Sequence, residues 1–82
     1  DYFKQGLKFY KLDRLSEALE YFEKAIITYP EYKEANFYLG QTYSELNNYN
    51  LSLKYYLLSL TIDPAFKEAQ NGVCSLITPS FH

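Results

Sequence analysis

Residues 33–66 read KEANFYLGQTYSELNNYNLSLKYYLLSLTIDPAF. This stretch decides the fold, because it matches the residues 34 positions before it. Pro64 answers Pro30, and Gly40 answers Gly6. Tyr43 answers Phe9, Ser52 answers Ala18, Tyr56 answers Phe22, and Ser59 answers Ala25. A partial third copy follows at the same interval. Lys33-Glu34-Ala35 returns as Lys67-Glu68-Ala69, Leu39-Gly40 as Val73-Cys74, and Tyr43 as Ile77. Small residues pair with small ones and aromatics with aromatics. A recurring packing environment demands this, since only a small residue lets two helix axes cross closely.

Each copy reads as two helices. Residues 2–11 carry Tyr2, Phe3, Gly6, Leu7, Phe9 and Tyr10 at helical spacing. Residues 15–29 carry Leu15, Ala18, Leu19, Phe22, Ala25 and Ile26 as a 3.6-period stripe. Leu12-Asp13-Arg14 joins them, with Asp13 suited to cap the second helix. The second copy predicts helices over 35–46 and 49–62 with a turn at Asn47-Asn48. Pro30 and Pro64 stop the second helix of each unit, because proline lacks the N–H that would continue it. Asp63-Pro64 also reads as an N-cap with a first-turn proline. It would open a fifth helix over about 68–77, ended by Thr78-Pro79.

The pattern resembles the tetratricopeptide repeat family, which places an aromatic, a Leu-Gly pair, a Tyr, a small residue, an aromatic and a proline at fixed offsets. The first copy supplies Tyr2, Gln5-Gly6, Phe9, Ala18, Phe22 and Pro30. The second supplies Asn36, Leu39-Gly40, Tyr43, Ser52, Tyr56 and Pro64. Gln5 and Asn36 depart from the pattern. The resemblance implies an all-α helical-repeat solenoid, a right-handed superhelix of antiparallel helix pairs. Repeat one would span residues 1–32 and repeat two 33–66. A half-repeat or capping helix over 67–77 and a tail over 78–82 complete the chain.

The resemblance also implies a protein–protein interaction module. The first helix of each unit lines a concave groove that takes a partner peptide or helix. The groove candidates are Phe3, Leu7, Tyr10 and Lys11 from the first unit. Glu34, Phe37, Tyr38, Gln41, Ser44 and Glu45 come from the second, and Glu68, Asn71 and Ser75 from the fifth helix. Aromatic anchors inside a polar rim are what protein-binding sites carry. Phe37 fits groove and core equally, whereas Tyr38 is expected to be exposed. Chaperone adaptors of the family grip a C-terminal carboxylate with a clamp of Lys, Asn and Arg. The corresponding positions here are Phe3, Leu7, Tyr38, Glu68 and Gly72, and none matches. A Glu in place of a Lys repels a carboxylate, so an apolar or mixed peptide is expected instead.

A second surface competes with the groove. Leu51, Tyr55 and Leu58 lie one turn apart on the fourth helix, with Leu57 beside them. The equivalents on the second helix are Glu17, Tyr21, Lys24 and Glu23. A face charged in one unit has become apolar in the next, and an exposed apolar stripe marks an interface. Val73, Leu76, Ile77 and Phe81 also call for cover. The alternative function is therefore structural: self-association, or a place within a longer repeat array.

Composition narrows the remaining classes. Ten Asp and Glu against eight Lys and Arg leave a net charge of −2, with no electrostatic reason to bind nucleic acid or an acidic membrane. Lys4, Lys8 and Lys11 share a helical face that reads as solvated. No apolar run approaches the ~20 residues of a membrane span. One cysteine, Cys74, permits no internal disulfide and fits a reducing, intracellular compartment. Its place in the repeat calls for a small packing residue, not a nucleophile. The only histidine is His82, and no Cys/His cluster or Gly-rich loop is present. No enzyme, metal or cofactor is expected. The chain has no Met and opens on apolar residues already at helical spacing, as expected of a segment of a longer protein.

Overall fold

Five helices, α1 Tyr2–Lys11, α2 Leu15–Thr28, α3 Lys33–Glu45, α4 Tyr49–Ile62 and α5 Lys67–Ile77, follow one another in the computed structural model. It describes residues 1–77, so Thr78-Pro79, Phe81, His82 and the expected tail lie outside the described residues. Each helix packs on the next, and α3 also touches α5. The architecture is an all-α helical-repeat solenoid of two helix pairs and a fifth helix.

Asp1 starts α1 by accepting from Phe3 N at 2.9 Å, and Asn48 starts α4 by accepting from Leu51 N at 3.4 Å. The turns inside the two units are copies of each other. Asp13 and Asn47 both take a left-handed backbone, φ 61 and 64. Behind them, Arg14 N donates to Phe9 O and Asn48 N to Tyr43 O, both at 2.8 Å. Asp13 N donates to Tyr10 O and Asn47 N to Ser44 O, both at 3.0 Å. This is the paired bonding that ends helices on a left-handed residue, a conformation that Asp and Asn tolerate. Asp13 therefore closes α1 and does not cap α2, where Arg14 stands with no side-chain cap bond.

The turns between units hold a second correction. Asp63 does not open α5; its Oδ1 accepts from Ala65 N at 3.1 Å within a turn, and α5 begins at Lys67. The departure at Asn36 has a physical reason. Asn36 is buried, and its Nδ2 donates to Pro30 O at 3.3 Å and to Tyr32 O at 3.0 Å. Gln70, 34 residues on, donates from Nε2 to Pro64 O at 2.7 Å. An amide side chain thus staples each inter-unit turn back onto the next helix.

The core is one ring per unit set against glycine. Phe22 and Tyr56 are almost fully buried. A Cβ added at Gly6 would fall 2.6 Å from Phe22, and one at Gly40 would fall 2.6 Å from Tyr56. Gly72 presses on the other side of Tyr56 with the same 2.6 Å clearance. Where the first unit has Ala18 and Ala25, the second has Ser52 and Ser59. Ser52 Oγ donates to Gly40 O at 2.7 Å and Ser59 Oγ to Lys33 O at 2.9 Å. Serine keeps the size needed for close approach, and the bond removes the cost of burying its hydroxyl. Among the described residues no buried side-chain polar atom lacks a partner.

Against expectation, α5 is polar on its outer side. Lys67, Glu68, Gln70, Asn71, Cys74 and Ser75 are exposed. Val73 and Leu76 are half-buried, while Ala69 and Gly72 are fully covered. Only Ile77 stays uncovered among the expected apolar positions within the described residues. Cys74 is exposed, contrary to the packing role its repeat position implied.

A stacked ring pair recurs on the back of each unit. Phe9 lies on Tyr21 with centroids 5.4 Å apart, and Tyr43 lies on Tyr55 at 5.7 Å. Tyr43 also joins the units, donating its hydroxyl to Glu23 on α2 at 3.1 Å. Burial first, and then the bond and charge of Glu23, push the Tyr43 phenol up to about 12 from its ordinary 10.0.

Two outcomes are expected. Gly40→Ala gains about 1 kcal/mol of helix propensity, but it drives a methyl into a fixed ring at a cost of about 1–3 kcal/mol. A net fall in Tm in thermal unfolding is expected; an unchanged or raised Tm would mean the ring yields. Tyr43 has a folded pKa above its unfolded one, so its contribution is complete below pH 10 and fades towards pH 12. Denaturant titrations across that window should show stability falling, and less steeply in Tyr43→Phe.

Candidate functional site

The first helices of the units, α1 and α3, and the fifth helix carry every groove residue expected from the sequence. Their aromatic members form two linked clusters. Phe3 lies 4.9 Å from Tyr32, 5.8 Å from Phe22 and 5.8 Å from Tyr38 between ring centroids. Thirty-four residues on, Phe37 lies 5.5 Å from Phe66 and 5.7 Å from Tyr56. Tyr38 stacks on Phe22 at 5.7 Å and meets Tyr10 edge-on at 5.5 Å.

Tyr38 is thus half-buried between α1, α2 and its own helix, and not the free surface ring expected. Each such ring pair contributes roughly 0.5–1.5 kcal/mol beyond its buried area. Phe3, Leu7 and Tyr10 are likewise half-buried against the core. Tyr32 and Phe66, which complete the clusters from the inter-unit turns, were not singled out by the sequence reading. Their own spacing of 34 residues, both just after a proline, was the available signal.

The polar members divide into committed and open groups. Tyr10 donates its hydroxyl to the Glu45 carboxylate, which ties α1 to α3. Burial, then the Glu45 bond and charge, hold the Tyr10 phenol well above the usual range. Gln41 accepts from the Tyr56 hydroxyl and so serves the core. Ser75 Oγ donates to Gly72 O at 2.9 Å within its own helix. Lys11, Asn71 and Ser75 are exposed, and Glu34 and Ser44 are half-buried. Among the described residues Lys4, Lys8 and Lys11 take part in no ion pair.

On the opposite side, Tyr55 is engaged with Tyr43 and covered by Lys54, whose Nζ lies 5.4 Å from its ring centroid. Leu51 is half-buried. The open part of the second surface is Leu57, 46% exposed, and Leu58, 40% exposed. No group of three or more metal-ligating side chains forms among the described residues. No helix among them is long and apolar enough to cross a membrane.

The geometry agrees with what the chain is similar to. A family model described as tetratricopeptide repeat matches residues 2–32 and 33–66. The crystal structure of MamA superposes with a TM-score of 0.89 over 92% of this chain, at 21% sequence identity. That identity speaks for the fold alone, and this chain spans only 44% of the MamA chain. No curated protein matches the sequence. With both helix pairs matched by the family model, the chain belongs to the tetratricopeptide repeat family, whose repeats are generally protein–protein interaction modules.

Proposed function

We propose that this module holds a partner peptide or helix in the groove of α1, α3 and α5. The observation that carries the reading is the half-buried aromatic floor of Phe3, Tyr10, Phe37 and Tyr38, bordered by exposed polar groups at Lys11, Asn71 and Ser75 and by half-buried Ser44. A preformed floor of locked rings costs little entropy when a ligand lands on it. The rim supplies donors and acceptors for a peptide backbone.

The ligand is apolar or mixed, not a C-terminal carboxylate. The five positions of the family's carboxylate clamp hold two apolar residues, a stacked tyrosine, Glu68 and a glycine buried under Tyr56. The module is non-catalytic in this reading, since its perturbed phenols are held neutral by burial and not activated.

Peptides selected from a displayed library test this. Because Phe37 and Tyr38 support the fold, substitutions belong on the open rim. Lys11→Glu with Asn71→Arg should weaken the selected peptides by about tenfold or more, with helicity unchanged by circular dichroism. Leu58→Glu should leave binding intact. Peptides indifferent to the rim pair, or lost with Leu58→Glu, would remove the groove from consideration.

A second reading, self-association, is favoured by a different observation. Leu57 and Leu58 stand exposed where the first unit has Glu23 and Lys24, and Ile77 is 59% exposed. Sedimentation equilibrium checks it: the chain should dimerise as concentration rises, and Leu58→Glu should shift it to monomer. A monomer at every concentration would leave the groove reading alone.

A further inference from the structure

The groove face carries more negative charge than its neighbours balance. On α3, Glu34, Phe37, Gln41 and Glu45 recur at three- and four-residue steps and so form one stripe. Its carboxylates stand at the two ends, about 16 Å apart along the helix, and the Phe37 ring falls between them. Glu68 begins the matching stripe on α5, followed by Asn71. Neighbouring helices frame α3 on both sides, α2 on one and α4 with α5 on the other.

Among the described residues none of these three glutamates takes part in an ion pair, whereas Glu17, Glu20 and Asp63 each do. Glu45 and Glu68 are exposed, and Glu34 is half-buried. Glu45 accepts from the neutral Tyr10 phenol, and that bond leaves its charge in place. One cation close by is already used. Lys33 Nζ pairs with Asp63 and lies 5.2 Å from the Phe66 ring centroid. The Asp63 bond first, and then its charge with those of Glu34 and Glu68, raise the Lys33 pKa against desolvation. Three carboxylates therefore act on one ammonium, which pairs with only one of them. Lys11, the lone cation among the groove positions, stands on α1.

The Lys33 seat is also a pattern for what the groove face lacks. Phe66 and Asp63 hold an ammonium between a ring and a carboxylate. Phe37 packs on Phe66 at 5.5 Å and has Glu34 one turn before it on the same helix face. This repeats the pairing of ring and carboxylate without a lysine. The attraction of a cation to an aromatic face adds to that of an ion pair.

We infer that the groove partner is a basic amphipathic peptide, whose lysine or arginine side chains meet Glu34, Glu45 and Glu68 while its apolar side chains lie on Phe37 and Tyr38. The inference rests on the groove reading and adds to it the charge of the partner. One exposed ion pair contributes little, and salt screens it. The preference therefore comes from several pairs acting on one ligand.

The test is a selection from a random decapeptide library, run on the native chain and on Glu34→Gln with Glu68→Gln. Peptides selected on the native chain should carry Lys and Arg well in excess of Asp and Glu, and their binding should weaken as salt rises. They should bind the double variant about fivefold more weakly, with helicity unchanged by circular dichroism. Should that helicity fall, the salt response of the native chain decides, and binding that does not weaken overturns the proposal. Peptides that depend on the Lys11 and Asn71 rim pair but show no basic excess, or that bind the double variant equally well, overturn this proposal and leave the groove reading standing. Peptides indifferent to the rim pair overturn both.

Discussion

A flat ring lying on a glycine backbone fixes the spacing of this molecule. Phe22 rests on Gly6, and Tyr56 is held between Gly40 and Gly72 with no room for a methyl group on either side. The ring supplies buried area that a small helical protein needs. The glycine supplies the close approach that lets the ring be covered. Everything else follows from that spacing. The serines reach the facing carbonyls, Asn36 and Gln70 reach the proline carbonyls, and the first helices align so that their aromatic edges merge into one floor.

The two joints of the stack are built differently on the same plan. At the first, Tyr38 of α3 covers Phe22 by stacking ring on ring. At the second, Gly72 stands at the matching repeat position and presents backbone to Tyr56. The first joint adds the Tyr43–Glu23 bond. The second has Leu57 and Ile77 at those positions, both largely uncovered. The same helix geometry thus offers a sealed joint and one with apolar edges, which is why the back surface changes character along the chain.

Most of this architecture was legible because identity at a fixed interval survives any uncertainty about local propensity. The period and the five helices followed from matching positions, whereas the pairing of each glycine with a ring came from distances. Tyr38 was misjudged because helical spacing places a side chain on a face but does not say which neighbouring helix reaches that face. Asp13 was misjudged because Asp serves both as an N-cap and as a left-handed helix end, and three residues of turn cannot tell the two apart. Cys74 looked like a packing residue because its equivalents, Gly6 and Gly40, face a following helix. The described residues contain no such helix after α5. Of the candidate site, the sequence offered a set of residues on the first helices and α5, and their division into committed and open groups depended on distances.

The Tyr10–Glu45 bond has a mechanical meaning. It joins two helices that are neighbours along the concave side, beside the ring contact of Tyr10 with Tyr38. A repeat stack is compliant mainly in the angle between successive units. A bond between adjacent first helices acts on that angle as a brace, and the core rings act as its pivot. The bond therefore favours one curvature of the concave face. In the proposed groove reading, a partner that needs a wider opening would first have to break this charge-assisted bond.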